Sequence, residues 1–241
     1  MKYVIIHYNT PKLTLALLAS LNKLGINKDI VIFENSNKLL LNANLYFNDI
    51  ITIHNEKNEI INFNKEIEDF IKNQKIPNDR IKLEQSRANF GSFKHALTVQ
   101  WLLDNLNEDF FLLDSDILIK KDFRNLIDKN KIFVGQTNQY RLLPFLVWFN
   151  TDLIKKCNIK FCDKINIHPN IRTYYTDTGG SFLTECKKSN LDYLNINIFD
   201  YIEHYGSGSW RDSKVNKDSY QGIFKNFSEI DWLKKFKHLY M

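Results

Sequence analysis

Asp114 and Asp116 are the two residues of this chain whose types and spacing point most directly to chemistry. They lie in FFLLDSDILI, residues 110–119, as two carboxylates two positions apart in an apolar run. A buried, unpaired carboxylate is strongly unfavourable. Both should therefore sit where the strand leaves the core, facing something positive. In an extended strand residues i and i+2 face the same side, so the pair can address one cation together. Oxygen ligands at a solvent-reachable edge suit Mg²⁺ or Mn²⁺, which keep positions open for phosphate oxygens. The plainer alternative is a turn or helix cap after a buried strand.

The elements that must position this pair alternate in type along the first half. KYVIIHY (2–8) reads as a strand. Thr10 offers a helix N-cap, and Pro11 takes a first-turn position where its missing N–H does no harm. Leu13, Ala16, Leu17, Leu21 and Leu24 then share a helical face, with Gly25 as a stop signal. DIVIFENS (29–36) and DIITIHN (49–55) are further strands, residues 59–73 an amphipathic helix, IKLEQS (81–86) a short strand. A helix is expected from about Ser92, followed by the strand FFLLD. This alternation predicts an α/β fold with a mostly parallel sheet flanked by helices. Ligands of such sheets bind beyond the carboxyl ends of the strands.

The second half is less regular. IFVGQT, LLPFLVWFN and NINIFDYIEH read as strands, with helices over 152–157 and 178–189. No repeat or linker appears. The expectation is a single domain over 1–241, with a ligand-binding half at 1–119 and a second wall at 120–241.

Composition narrows the class. Hydrophobic residues make up 44% and aromatic residues 14% of the 241 positions, which favours a globular protein over a disordered one. The excess of 33 basic over 28 acidic residues, +5, suits an anionic ligand or membrane surface. It is too small, without a basic–aromatic motif, to argue for nucleic acid. Cys157, Cys162 and Cys186 lack zinc-type spacing and read as free thiols. No run approaches the roughly 20 apolar residues of a membrane span. The apolar stretch of MKYVIIHYNTP is shorter than a signal-peptide core, so the expected location is cytoplasmic.

Four segments in order resemble the GT-A class of nucleotide-sugar glycosyltransferases, particularly glycosyltransferase family 2. VIIHYNTPKLTLALLASL resembles that family's opening strand and helix, and VIFENSN its second strand. SRANFGSFKHAL is similar to its Asn-x-Gly segment, and FFLLDSDILI to its DxD. They cover about the first half of the chain. The resemblance implies a GT-A (Rossmann-like) sheet and a nucleoside diphosphate sugar donor. It implies that the segment His7, Tyr8, Asn9 and Thr10, with the Glu34 carboxylate, holds base and ribose, and that Asn89 and Gly91 line the same pocket. Asp114 would then lie near the ribose or metal, and Asp116 would coordinate Mn²⁺ or Mg²⁺ across the pyrophosphate.

For the second half the resemblance implies a general base, Asp177 in YYTDTGGSFL, in an inverting reaction. Capping of the following helix by Asp177 or Thr178 explains the same residues. The family often shows a Glu-Asp pair here, where this chain has Thr176-Asp177. His204 in EHYGSGSW resembles the late histidine that some GT-A enzymes supply to the metal, and an imidazole would favour Mn²⁺. Ser207 and its neighbours offer hydroxyls and N–H groups to a diphosphate, Trp210 a lid, and Arg211 a planar donor fork. Trp148, Tyr174 and Tyr175 are candidates for stacking on an acceptor sugar, with burial in the core as the alternative. The acceptor implied is a bacterial surface glycan, free or lipid-linked.

The tail SEIDWLKKFKHLY places Ile230, Leu233, Phe236 and Leu239 on one stripe, with Lys234, Lys235 and Lys237 off it. Such a helix either rests peripherally on anionic lipid or packs on the domain. Two other functions fit an apolar strand ending in DxD. One is a phosphatase of the haloacid dehalogenase type, although Ile117 and Leu118 stand where that family has Thr or Val. The other is a non-catalytic nucleotide-sugar-binding module.

Overall fold

A computed structural model describes residues 1–36, 49–74, 91–161, 178–206 and 229–241. Its centre is a seven-stranded sheet. In chain order the strands are β1 (Lys2–His7), β2 (Ile30–Glu34), β3 (Ile50–His54), β4 (Phe110–Asp114), β6 (Phe133–Thr137), β7 (Leu142–Phe149) and β8 (Leu194–Asn195). Two short strands, β5 (Ile117–Ile119) and β9 (Ile202–His204), pair separately. The order across the main sheet is β3-β2-β1-β4-β7-β6-β8. The strands β3, β2, β1 and β4 run parallel, β7 and β6 follow antiparallel, and β8 is parallel to β6. The chain is therefore α/β with a mostly parallel sheet, and both halves of the sequence contribute strands.

Alternation within the apolar runs explains why helices cover both faces. Val4, Ile6, Phe110 and Leu112 face one cluster, while Tyr3, Ile5, Phe111 and Leu113 face the other. Strands buried on both sides need no polar alternation, hence runs such as YVII and FFLL. The first cluster is closed by helix α3 (Gly91–Asn105), through Ala96, Val99, Leu102 and Leu103, and by α5 (Gly180–Lys188), through Phe182, Leu183 and Cys186. Phe63, at the head of α2 (Phe63–Gln74), and Ile154 of α4 (Thr151–Lys156) join it. The second is closed by α1 (Pro11–Lys23), through Leu17, Leu18 and Leu21.

Several expected elements shift, each for a local reason. The run DSDILI does not continue β4, because the chain turns at Ser115–Asp116 and β5 leaves for another sheet. The run NINIFDYIEH is not one strand either: a 3₁₀ turn at Ile198–Asp200, capped by Asn197, divides it. The second helix begins at Phe63, where the Asn62 side chain accepts from the Lys65 N–H at 3.1 Å. Thr10 makes no side-chain cap, its hydroxyl being engaged by Ser115. Gly25 does end the first helix, with φ of +71°. The expected strand IKLEQS lies outside the described residues.

The C-terminal helix α6 (Glu229–Lys235) docks on the domain. Trp232 is buried with Leu13 and Ala16 of α1, Leu118 of β5 and Tyr205. Leu233, Phe236 and Leu239 pack against that cluster, and Lys23 Nζ donates to the His238 carbonyl at 2.6 Å. Ile230 instead points outward. Of the two readings of the tail, the structure shows packing on the domain, with most of the apolar stripe against α1 and its neighbours and centred on Trp232. No helix among the described residues is long and apolar enough to cross a membrane. Trp232→Ala should remove about 3 kcal/mol of stability, read as a lower urea midpoint with an unchanged denaturant slope.

Candidate functional site

The site begins with the turn that ends β4. The Ser115 N–H donates to Asp114 Oδ1 at 2.9 Å, which folds that side chain back over the turn. Asp116 follows, buried, and β5 then departs. Antiparallel pairing of β5 with β9 sets Ile117 opposite His204, and the Tyr205 N–H donates to the Asp116 carbonyl at 2.9 Å. These backbone bonds deliver the imidazole to the second carboxylate, with Nε2 of His204 3.2 Å from Asp116 Oδ1. One ligand atom from each of Asp114, Asp116 and His204 lies within 4.8 Å of the others.

Burial and the neighbouring Asp116 charge push the Asp114 carboxyl up to about 7, against the opposing pull of His204, the Ser115 N–H and Arg141. Two carboxylates held this close resist joint ionisation. A divalent cation between them would remove the repulsion that raises Asp114. Two carboxylates and an imidazole, gathered from three chain segments at a strand tip, form a donor set that fits such an ion.

Beside this cluster lies a second, fully buried polar group, fixed by register: His7 of β1 pairs directly with Glu34 of β2. The Thr10 N–H donates to His7 Nε2 at 3.1 Å, so the ring proton resides on Nδ1 and is donated to Glu34 at 2.7–2.8 Å. The Ser36 N–H also donates to Glu34 at 2.9 Å, and the Ser36 hydroxyl accepts from the Asn9 N–H at 2.9 Å. Burial by itself would raise Glu34. The His7 and Ser36 hydrogen bonds overcome it and hold the carboxyl below the usual glutamate range. The Glu34 carboxylate expected to hold base and ribose is fully buried against His7 in this structure, as is the His7 side chain. They instead set the loop from Tyr8 to Thr10. There Asn9 adopts a left-handed conformation, φ +53°, and the Thr10 hydroxyl lies 2.9 Å from that of Ser115. The buried pair is thus tied to the acidic turn.

Of the other expected residues, Tyr8 lies half-buried in this loop and Gly91 opens α3. Asn89, Asp177, Ser207, Trp210 and Arg211, with Tyr174 and Tyr175, lie outside the described residues. Trp148 is completely buried in β7, which selects core burial over stacking on a sugar. The chain resumes after Asp177 in a well-fixed segment. The Thr178 hydroxyl donates to the Ser92 carbonyl at 3.0 Å, and Leu142 N–H donates to the Gly179 carbonyl at 3.3 Å. Gly179 has φ of +84°, and a Cβ there would stand 2.3 Å from the Leu142 carbonyl oxygen.

Sequence reasoning missed two neighbours of the cluster. Arg141 lies in the β6–β7 hairpin, whose turn is closed by Asn138 Oδ1 accepting from the N–H groups of Tyr140 and Arg141 at 2.9 and 2.8 Å. Its charge reaches Asp114. Phe145 of β7 stacks on the His204 ring. The only sequence signal for either was the Asn-x-x-Arg turn between two strand-like runs.

No protein-family model and no curated protein matches the sequence. Among solved structures the chain is similar to apo WbbM, a bifunctional glycosyltransferase, at 11% identity and a TM-score of 0.46, covering 82% of this chain and 39% of that one. The apo form of the glycosyltransferase GlyE from Streptococcus pneumoniae TIGR4 is similar at 11% identity and a TM-score of 0.43, covering 81% of this chain and 45% of that one. A second GlyE structure gives 11% and 0.38, covering 82% and 46%. The chain spans less than half the length of these proteins.

Two outcomes follow from this packing. Gly179→Ala, forced against Leu142, should destabilise the start of α5 by about 1–3 kcal/mol, measured by urea unfolding. Because Glu34 is held below its ordinary value of 4.5, its contribution is complete above that pH and is lost as pH falls through the folded-state value. Glu34→Gln should therefore lower the melting temperature at pH 7, with the gap to wild type narrowing below about pH 4.5. An equal gap at pH 7 and pH 3.5 would count against the buried carboxylate pair.

Proposed function

We propose that the chain is a metal-dependent, inverting glycosyltransferase domain of the GT-A type, moving a sugar from a nucleoside diphosphate sugar to a hydroxyl of a bacterial surface glycan. The observation that carries this reading is the convergence of Asp114, Asp116 and His204 at the carboxyl end of a parallel strand. Asp114 and Asp116 would hold Mn²⁺ or Mg²⁺, with the His204 imidazole favouring Mn²⁺. When bound, the ion supplies neutralisation of the charge that develops on the diphosphate leaving group.

The chain's own residues account for the remaining roles. Arg141, close enough for its charge to act on Asp114, adds positive potential toward an anionic donor. The loop from Tyr8 to Thr10, set by the His7–Glu34 pair, borders the acidic turn through the Thr10–Ser115 contact. Asp177 is assigned the acceptor proton. Its carboxylate takes that proton as the hydroxyl oxygen attacks the anomeric carbon, the bond from that carbon to the diphosphate breaks, and the configuration inverts. The glycan acceptor, free or lipid-linked, follows from the family resemblance of the sequence.

The test is turnover of UDP-, GDP- and dTDP-sugars with and without Mn²⁺. Asp116→Ala should abolish metal-dependent turnover while leaving the circular dichroism spectrum intact. Asp177→Asn should lower kcat by about 10²–10⁴-fold, with donor binding retained. Full turnover by Asp116→Ala would reject the reading. Metal-dependent nucleotide-sugar binding without transfer would favour the non-catalytic module, and hydrolysis of an aryl phosphate the phosphatase.

A further inference from the structure

The backbone of His204 is fixed relative to Asp116 by β5–β9 pairing and by the Tyr205 N–H bond to the Asp116 carbonyl. What the backbone leaves open is the imidazole itself, and the terminal torsion of a histidine is a broad, weakly restrained one. A third element adds a constraint on the ring itself. Phe145, on β7 of the main sheet, lies ring to ring against His204, with centroids 3.9 Å apart and planes inclined by 27°. No strand pairing joins β7 to β5 or β9, so this contact links the two sheets at the candidate metal site. Behind Phe145 stands Phe199, at 6.5 Å, from the 3₁₀ turn that leads into β9.

We infer that Phe145 is the positioning residue for the His204 imidazole, holding its Nε2 toward Asp116 so that the nitrogen is already oriented when a divalent cation arrives. The inference rests on reading Asp114, Asp116 and His204 as a metal site. A ring pinned on one face by an aromatic plane and at one nitrogen by a carboxylate at 3.2 Å has little torsional freedom left to lose on ligation. Removing the plane takes away the stacking contact while sparing the backbone anchors, the Asp116 contact and the ligand atom. Groups that orient metal ligands in this way typically change metal affinity by about 10–100-fold when mutated.

The experiment uses the full chain and Mn²⁺ alone, with free ion followed by electron paramagnetic resonance. Phe145→Leu should weaken Mn²⁺ binding about tenfold, and Phe145→Tyr, which keeps the plane, should match wild type. Adding Phe145→Leu to His204→Asn should cause no further loss, because the group being positioned has gone. An equal loss in both backgrounds would make Phe145 a packing residue only and overturn the inference. Relaxation of the His204 ring carbons by nuclear magnetic resonance, in metal-free protein, gives a separate readout. Phe145→Leu should loosen the ring on the nanosecond scale, and an unchanged ring order would again overturn the assignment. If wild type bound no Mn²⁺, the metal reading would fall by itself while the ring measurement still decided for or against Phe145.

Discussion

The arrangement depends on one electrostatic constraint: two carboxylates, one of them buried, face each other across a three-residue turn and cannot both be comfortably charged without a cation. Asp114 responds by moving up to about 7. A protein that needed only a turn after β4 would have no use for a second carboxylate that raises the first. The surrounding structure accommodates the strain instead of relieving it. Ser115 spends its N–H on Asp114 and its hydroxyl on Thr10, and β9 brings a histidine to Asp116 from almost ninety residues further along the chain. Such convergence is the arrangement from which the proposed metal site is argued.

The parallel part of the sheet explains why this site lies where it does. Four parallel strands bring four carboxyl ends to one edge, and β1 places His7 between the tips of β2 and β4. The interior polar group then serves as a keystone. Glu34 and His7 are inaccessible, but through Thr10 they fix the hydroxyl that meets Ser115. The Glu34 carboxylate is satisfied by hydrogen bonds from His7 and Ser36 inside the fold. One carboxylate is used for architecture, and the two at the turn are those assigned to a cation in the proposed function.

How much of this was legible in the sequence can be judged residue by residue. The two carboxylates stood out because they violate the burial rule inside FFLLDSDILI, although the turn between them was only the alternative to an extended strand, and the strand–helix alternation followed from the double-faced apolar runs. The break into β5 was not visible, since Ile117, Leu118 and Ile119 are as apolar as β4 and differ only in the sheet they join. His7 and Glu34 read as ligand-facing because a strand end usually is. Their mutual pairing depends on the β1–β2 register, which one strand's pattern cannot specify. In the tail, three of the four residues of the apolar stripe dock as read, but Trp232 takes the buried place and Ile230 stays exposed, because Trp232 offers more area to bury. Phe145 gave no signal at all. An aromatic in an apolar strand looks like core, and only the arrival of β9 gives it a histidine to face.

On the proposed metal reading, an imidazole as the third ligand also follows from charge. Two carboxylates balance a divalent ion, so the loaded cluster would be near neutral and still able to accept the oxygens of an anionic donor. A third carboxylate in place of His204 would leave the loaded site negative and set it against a diphosphate. Arg141, approaching Asp114 from the β6–β7 hairpin, acts in the same direction by adding positive potential at the rim. A neutral third ligand needs orientation more than it needs charge, because a carboxylate can present either of two equivalent oxygens whereas an imidazole presents one nitrogen along one line. That difference is why a stacked aromatic belongs beside the histidine, and why neither aspartate requires one.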